Sequence, residues 1–570
     1  MIRTLFALAV FLIARPVLSQ SGSEPGVLYY NGTIYTADPD RPVVEAMAVR
    51  GNTIVGIGTR EQADAGLRQT LGEVGDEKGI DLRGKTVLPG LIDAHGHMRG
   101  LGALQTGVLD LTGTTSYEQV ITLVKQRAAE TPKGEWVLGR NWDNESWADK
   151  AMPTHDELSR AVPDHPVWLH RVDGHAALAN RAAMDTSDVS PESKDPAGGE
   201  LLRKPNGDLT GVFIDTAEGL IERAVPAGAR GDAESMILAA QQACLSAGLT
   251  GVHDMGVHPR TADLYRAMDD AGRLKLRIHA ACPAQFAVKH FENNEPYRSD
   301  RFNYAATKVY IDGAMGSRGA WMLAPYADRP VYGTGENAGE PYTGLAVREP
   351  GFIEMISRHA LERGYQVCTH AIGDRGNREV LDAYERAAAS TGRSLADARF
   401  RIEHAQLLSP ADIPRFASLG VIASMQPTHC TSDMRWVETR VGAERARGAY
   451  AWQSLLRSGA VIAGGSDFPV ESHNPFFGFY AAVTRQNQER VPEDGWLPGE
   501  RMTRVQALRS MTIDAAYSAF MEDLTGSLTP GKRADFIIID RDIMTCEPER
   551  ISATRVLETV IDGQQVFIAD

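Results

Sequence analysis

The run Asp-Ala-His-Gly-His ends in two histidines one residue apart, His95 and His97. On a β-strand both imidazoles would face the same side, because strand side chains alternate with period two. Two imidazoles converging from one strand can chelate a metal ion. Four further polar residues belong to β-rich runs later in the chain: Lys308 lies on one, and His370, His404 and Asp467 close others. This set offers nitrogen and oxygen donors without sulfur, which suits one or two divalent ions, Zn2+ first and Mn2+, Fe2+, Co2+ or Ni2+ as alternatives. The chemistry implied is water activation, in which a metal acidifies water and polarises a carbonyl while a neighbouring carboxylate takes and returns the proton. Asp467 is the natural acid/base. Each residue alone also has a structural reading: a strand-end histidine is commonly hydrogen-bonded, and Asp467 in Gly-Gly-Ser-Asp could cap a helix. A core lysine needs a counter-ion or conversion to a carbamate. The joint arrangement is what the structural readings leave unexplained.

These residues need elements to bring them together. Eight β-rich runs end near His95, His253, Cys282, Asp312, His370, His404, Met425 and Asp467, and helix-like segments such as NREVLDAYERAAAS and AYAWQSLLRSG lie between most of them. Alternation of buried strands with helical periodicity predicts parallel βα units, and eight units predict a (β/α)8 TIM-like barrel of the α/β class, with strand-end residues at its catalytic face. The barrel spans residues 88–523. The first two strands are separated by far more chain than one crossover needs, which predicts an insertion over about residues 100–245, rich in Trp, Asp and Gly, at that face. Residues 26–87 and 524–570 both read as short strands with Asn-Gly and Gly-rich turns. Neither has enough strands for its own core, so the two are expected to pair into a composite β-sandwich.

Acidic residues outnumber basic ones 74 to 59 in the 570-residue chain, a net charge of −15, which argues against nucleic acid and anionic lipid as partners. Residues 1–19 carry a basic start, an apolar run and a small-residue site, the pattern of a signal peptide for export to periplasm or medium. No stretch is apolar for long enough to predict a membrane helix. Five scattered cysteines, Cys244, Cys282, Cys368, Cys430 and Cys546, give neither a disulfide framework nor a zinc ribbon. A homodimer is the default expectation.

The motifs VLPGLIDAHGH, THAIGD, RIEHAQ, GGSD and GSLTPGKRADFIIID, in that order around the strand-four lysine, resemble the metal-dependent amidohydrolase superfamily. GRNWDNESW, VDGHAALAN, KVYIDGAMGSRGA and ASMQPTHCTSDMRW are similar to its amidohydrolase family 3 group. The resemblance runs from about Gly26 to the C-terminus. It implies that His95, His97 and Asp467 hold one metal, that His370 and His404 hold a second, and that a carboxylated Lys308 bridges them; no ligand position is missing. It also implies hydrolysis of a C–N bond in a small-molecule amide, such as an N-acyl or N-formyl compound, with His175 stabilising the oxyanion and Asp467 passing a proton to the leaving nitrogen. The same site could serve esters, lactones or cyclic imides, and the contrasting reading is a non-catalytic binding protein on this fold. Pocket walls are expected from Trp142, Asp143, Trp147, Asp173, Asp312, Arg318, Asp374 and Gln426, with His429 and Trp436 nearby and His253-Asp254 behind the metal ligands.

Overall fold

The computed structural model describes residues 26–71, 77–332 and 339–570. The leader reading over residues 1–19 falls outside them. Eight parallel strands form the barrel: β1 (Leu91–Gly96), β2 (Leu249–Met255), β3 (Arg277–Pro283), β4 (Phe302–Tyr310), β5 (Gln366–Ala371), β6 (Arg401–His404), β7 (Ile422–Met425) and β8 (Ile462–Gly464). They pair in sequence order, and a parallel bridge between Gly96 and Phe468 links the last strand's exit back to the first. Nearly every strand residue is buried, as expected for parallel strands covered by helices on one side and filled by side chains on the other.

The barrel interior is layered. Met255, Ala281, Ala306 and Cys368 form a small apolar cluster. Polar residues fill another part of the interior: Arg401 on β6 donates to Glu403 (2.8 Å), to Ser424 Oγ (2.8 Å), to the Ala94 carbonyl (2.6 Å) and to His253 Nδ1 (2.8 Å). His279 Nε2 donates to Gln366 Oε1 at 2.9 Å. Arg401 and Glu403 sit two residues apart, so both project to the same side of β6, and both are fully buried.

The run TVLPGLIDAH divides at Gly90 into Thr86–Pro89, which joins the sandwich, and β1 of the barrel. A Cβ at Gly90 would collide with the Thr250 side chain, so glycine allows the two strands to part where β2 packs against them. The sandwich has a four-stranded sheet from the N-terminal segment and a six-stranded sheet in which Phe536–Ile539 of the C-terminal segment pairs antiparallel with Thr86–Pro89. Tyr29, Ile34, Met47, Val87, Phe536 and Ile538 fill the space between the sheets, with Tyr29 and Phe536 edge to face at 5.0 Å. Arg277 of β3 ties the barrel to this layer through Asp535 and Asp562, at 2.6 Å each.

Between β1 and β2 the chain builds a six-stranded sheet in the order 199–203, 209–215, 176–179, 167–171, 137–142, 109–110. Leu111, Val120, Val124, Trp142, Trp147, Leu158, Leu169 and Ile214 form its own apolar core. Among the described residues, no helix is long and apolar enough to cross a membrane.

Candidate metal centre and active site

All six donor residues foreseen from the sequence lie on one cavity at the C-terminal ends of the barrel strands: His95, His97, Lys308, His370, His404 and Asp467. Their neighbours fix how the imidazoles present themselves. His95 donates from Nδ1 to Glu403 Oε2 at 2.6 Å, His97 from Nδ1 to the Met255 carbonyl at 2.9 Å, and His404 from Nδ1 to Gln426 Oε1 at 2.8 Å. A proton committed on Nδ1 leaves a lone pair on Nε2, the orientation of a metal-ligating histidine with its supporting acceptor. Donor atoms of His95, His404 and Asp467 lie within 4.8 Å of one another. His97 Nε2 faces Asp467 Oδ1 at 2.9 Å. With Nδ1 protonated, both are acceptors, and Asp467 Oδ1 and His370 Nε2 are buried without a hydrogen-bond partner. Orphaned acceptors converging in a buried pocket fit a cation between them.

Burial pushes His370 and His404 well below the ordinary histidine range, and neighbouring rings and Lys308 add to it. Burial and Lys308 bring His95 to about 4, against the opposing pull of Asp467 and Glu403. Neutral imidazoles are the ligating form. Burial alone would raise Asp467, yet His95 and His97 outweigh it and hold the carboxylate well below its usual range. Lys308 Nζ lies 3.2 Å from His95 Nε2, and burial lowers its pKa. The backbone is strained at two of these residues: φ is 74° at His404 and 61° at Asp467. Non-glycine residues in this region cost about 1–3 kcal/mol and gather at functional sites.

His175 enters the same cavity from the insertion. Its Nδ1 donates to Asp215 Oδ1 at 2.6 Å, and its ring lies 4.9 Å from that of His370. Asp215 ends the strand Leu209–Asp215 with φ 49° and ψ −122°. A Cβ at Gly313 or Gly319 would collide with its carboxylate, so the loop after β4 is glycine where the insertion docks. Among the described residues, Asp215 Oδ2 has no partner. The sequence reading missed Asp215, Arg401 and Glu403. The R-x-E spacing just before His404 was the available signal for the last two; nothing local marked Asp215.

Two lobes meet at the centre. The insertion-side lobe, about 640 Å³, is lined by Arg140, His170, Asp215, Glu218 and Tyr310 together with the donor residues. The other, about 580 Å³, is lined by Asp143, Arg171, His429, Asp433, Trp436 and Glu471. Asp173, His175, His370, His404 and Asp467 border both.

The expected pocket walls divide accordingly. Asp143, Asp173 and Asp312 line a lobe. Asp312 accepts the N–H groups of Trp321, Ile372 and Gly373 at 2.8–3.0 Å, and burial pushes its carboxyl up to about 7. The other expectations need correction. Trp142 and Trp147 line neither lobe; they are 1% and 3% exposed inside the insertion's core, because a sheet this small needs large side chains to fill its interior. Arg318 pairs with Asp328 at 2.8 Å. Asp374 accepts the N–H of Leu323 at 2.8 Å and of Arg375 at the start of its own helix. Gln426 contacts His404 rather than either lobe. His253 holds Arg401, and Asp254 accepts from Met98 N–H and Tyr265 O–H.

Comparison with known proteins agrees with this geometry. The pattern of the amidohydrolase family matches residues 78–567. The chain is 34% identical over 564 residues to the protein LONG AFTER FAR-RED 3 of Arabidopsis thaliana, covering 96% of this chain and 92% of that protein. It is 27% identical over 559 residues to the N-substituted formamide deformylase of Arthrobacter pascens, covering 94% and 97%. Among solved structures, an uncharacterized metal-dependent hydrolase from Pyrococcus horikoshii OT3 superposes with a TM-score of 0.72 at 27% identity, covering 92% of this chain and 99% of that one. With the family pattern spanning both the barrel and most of the sandwich, and the polar donors gathered at the strand ends, the chain belongs to the amidohydrolase family and is a hydrolase.

Proposed function

We propose that this hydrolase cleaves a non-peptide C–N bond in a small-molecule amide, an N-acyl or N-formyl compound, with a divalent metal, Zn2+ first among candidates, at the barrel mouth. The observation that carries the reading is the convergence of acceptors: three imidazoles with Nδ1 committed elsewhere, and the Asp467 carboxylate 2.9 Å from one of them. His95, His97 and Asp467 would hold one ion, His370 and His404 a second. A bound divalent ion supplies Lewis acidity, polarising the carbonyl and making water a nucleophile at neutral pH.

Asp467 takes the proton from the attacking water and passes it to the leaving nitrogen. Burial alone would lower the His175 pKa, but Asp215 outweighs it and raises it, favouring the imidazolium, which keeps Nδ1–H on Asp215 and donates from Nε2 to the developing oxyanion. Glu403 and Gln426 hold the His95 and His404 rings in register. Burial lowers the Lys308 pKa, which favours the neutral amine, the form that adds to CO2 with loss of a proton to give a carbamate. The relative named for formamides supports a formyl or small acyl group as the first probe. The leader read in residues 1–19 supports export; N-terminal sequencing of the mature protein checks it.

The deciding experiment screens purified, metal-supplemented protein against formamides, N-acyl amino acids, imides and aryl esters by mass spectrometry, with His95→Ala as control. Amide turnover that disappears with bound metal in His95→Ala is the expected result. Ester turnover with silence on every amide would overturn the C–N assignment, and full activity of His95→Ala with normal metal content would overturn the ligand assignment.

A further inference from the structure

We infer that the insertion-side lobe is an anion seat built around Arg140, and that the amide cleaved carries a carboxylate on that side. This rests on the hydrolase reading of the same centre and adds the substrate's charge to it.

Arg140 lies on the insertion strand Val137–Trp142, where the pairing with the next strand shifts register between Arg140 and Trp142 and Asn141 has φ 75°. Residues two apart on a regular strand share a face. The bulge breaks that rule, since Trp142 is buried in the insertion's apolar core while Arg140 opens into the cavity. Bulges of this kind re-aim a side chain beside an active site.

The guanidinium is short of partners. Its one side-chain hydrogen bond runs from Nε to Asn141 Oδ1 at 3.0 Å, and among the described residues no carboxylate comes within ion-pair distance. Three other arginines around the cleft are committed: Arg171 to Asp143 and Asp173, Arg230 to Glu222 at 2.7 Å, and Arg435 to Asp143; Arg99 and Arg348, on the same lobe, have no ion pair among the described residues and add to its positive charge. Gly100 keeps one flank of Arg140 clear, since even a Cβ there would come within 3.4 Å of Nη1. Glu218, on the same lobe, does not neutralise it: burial, with Asp215 and Glu222 beside it, pushes that carboxyl well above the usual range, and its Oε1 has no partner. A half-buried guanidinium with both Nη groups unpaired presents a planar fork that matches a carboxylate. Asp173, Asp215 and Glu222 on the same lobe favour a singly charged anion over a phosphate. A substrate seated here has its carboxylate on Arg140 and its amide among the donor residues that line the same lobe, as an N-acyl or N-formyl amino acid would.

The test uses binding, so that it stands apart from turnover. Wild-type protein as purified is titrated calorimetrically with N-benzenesulfonylglycine, whose sulfonamide replaces the scissile amide, and with its uncharged methylamide. The acid should bind at least ten times more tightly. Arg140→Gln should bring the acid down to the methylamide's affinity, and Arg140→Lys, which keeps the charge and loses the fork, should fall between. Melting curves establish that each variant is folded; if Arg140→Gln is not, Arg140→Lys alone decides, by a reduced or an unchanged preference. Equal affinities in the wild type, no binding of either probe, or an acid preference retained in the variants would overturn the anion seat. None of these outcomes bears on whether neutral amides are hydrolysed, which the substrate screen decides.

Discussion

Two walls face each other across the cleft, and they are built on opposite physical plans. The barrel mouth rests on buried charge: Arg401 and Glu403, both fully buried, lie behind His95, and His253 and Ser424 complete the arginine's hydrogen bonds. The insertion rests on apolar packing, with Trp142 and Trp147 side by side at 6.0 Å in its core, and reaches the site through polar residues at strand ends, Arg140, His170, Asp173, His175 and Asp215. A buried ion pair contributes little net stability but fixes geometry, whereas an apolar core contributes stability and leaves its rim free to vary. The donors are thus held in place by charged contacts inside the barrel, while the opposite wall of the cleft is carried on a core of its own.

The sharpest way to break this comparison is Arg401→Met. It leaves Glu403 buried without its cation, and a loss of about 3–5 kcal/mol is expected for one removed partner of a buried pair, read by urea unfolding together with reduced metal content. Near-native stability would mean that the charged pillar is dispensable. Next, His175→Ala should cut kcat by about 10²–10³-fold with metal content unchanged, the scale for one lost oxyanion donor. A lowered metal content in that variant would move His175 into the ligand set. Trp147→Ala should cost about 3 kcal/mol of stability, as truncation of a core aromatic does, with kcat/KM of the folded fraction within a factor of two of wild type. A selective loss of kcat/KM at full stability would restore Trp147 to the pocket wall.

The smallest effect is the pH response of the pillar. Burial raises the Glu403 carboxyl, but Arg401 and His95 outweigh it and hold it well below the ordinary glutamate range. A carboxyl depressed on folding stabilises above its unfolded pKa, and that contribution is lost as pH falls through the folded value. The urea midpoint should therefore drop as pH is taken from about 5 to about 3. In Arg401→Met, where burial dominates Glu403, this part of the acid sensitivity should vanish; an identical acid slope in both proteins would assign it to other carboxyls.

The two walls were also unequally legible. His95, His97, Lys308, His370, His404 and Asp467 could be read as a set because each lies at or near the end of a run with strand character, and strand ends of a parallel barrel gather at one face. The insertion offered aromatic and acidic motifs with no such rule. Trp142 and Trp147, expected as pocket walls, fill a core, while Arg140, two residues before Trp142, carries no local signal because a bulge separates their faces. Asp215 was invisible for a related reason, being 40 residues from His175 and meeting it only when two strands pair.

Local sequence therefore determined the barrel strands, the composite sandwich and which polar residues gather at the strand ends, since periodicity, turn residues and strand-end position are properties of short segments. Tertiary structure alone decided which acid orients which histidine, which cations around the cleft pair with an acid, and which tryptophans are walls or filling. Those depend on contacts between segments tens to hundreds of residues apart, such as Glu403 with His95, and on one-residue register shifts that reverse the face a side chain presents.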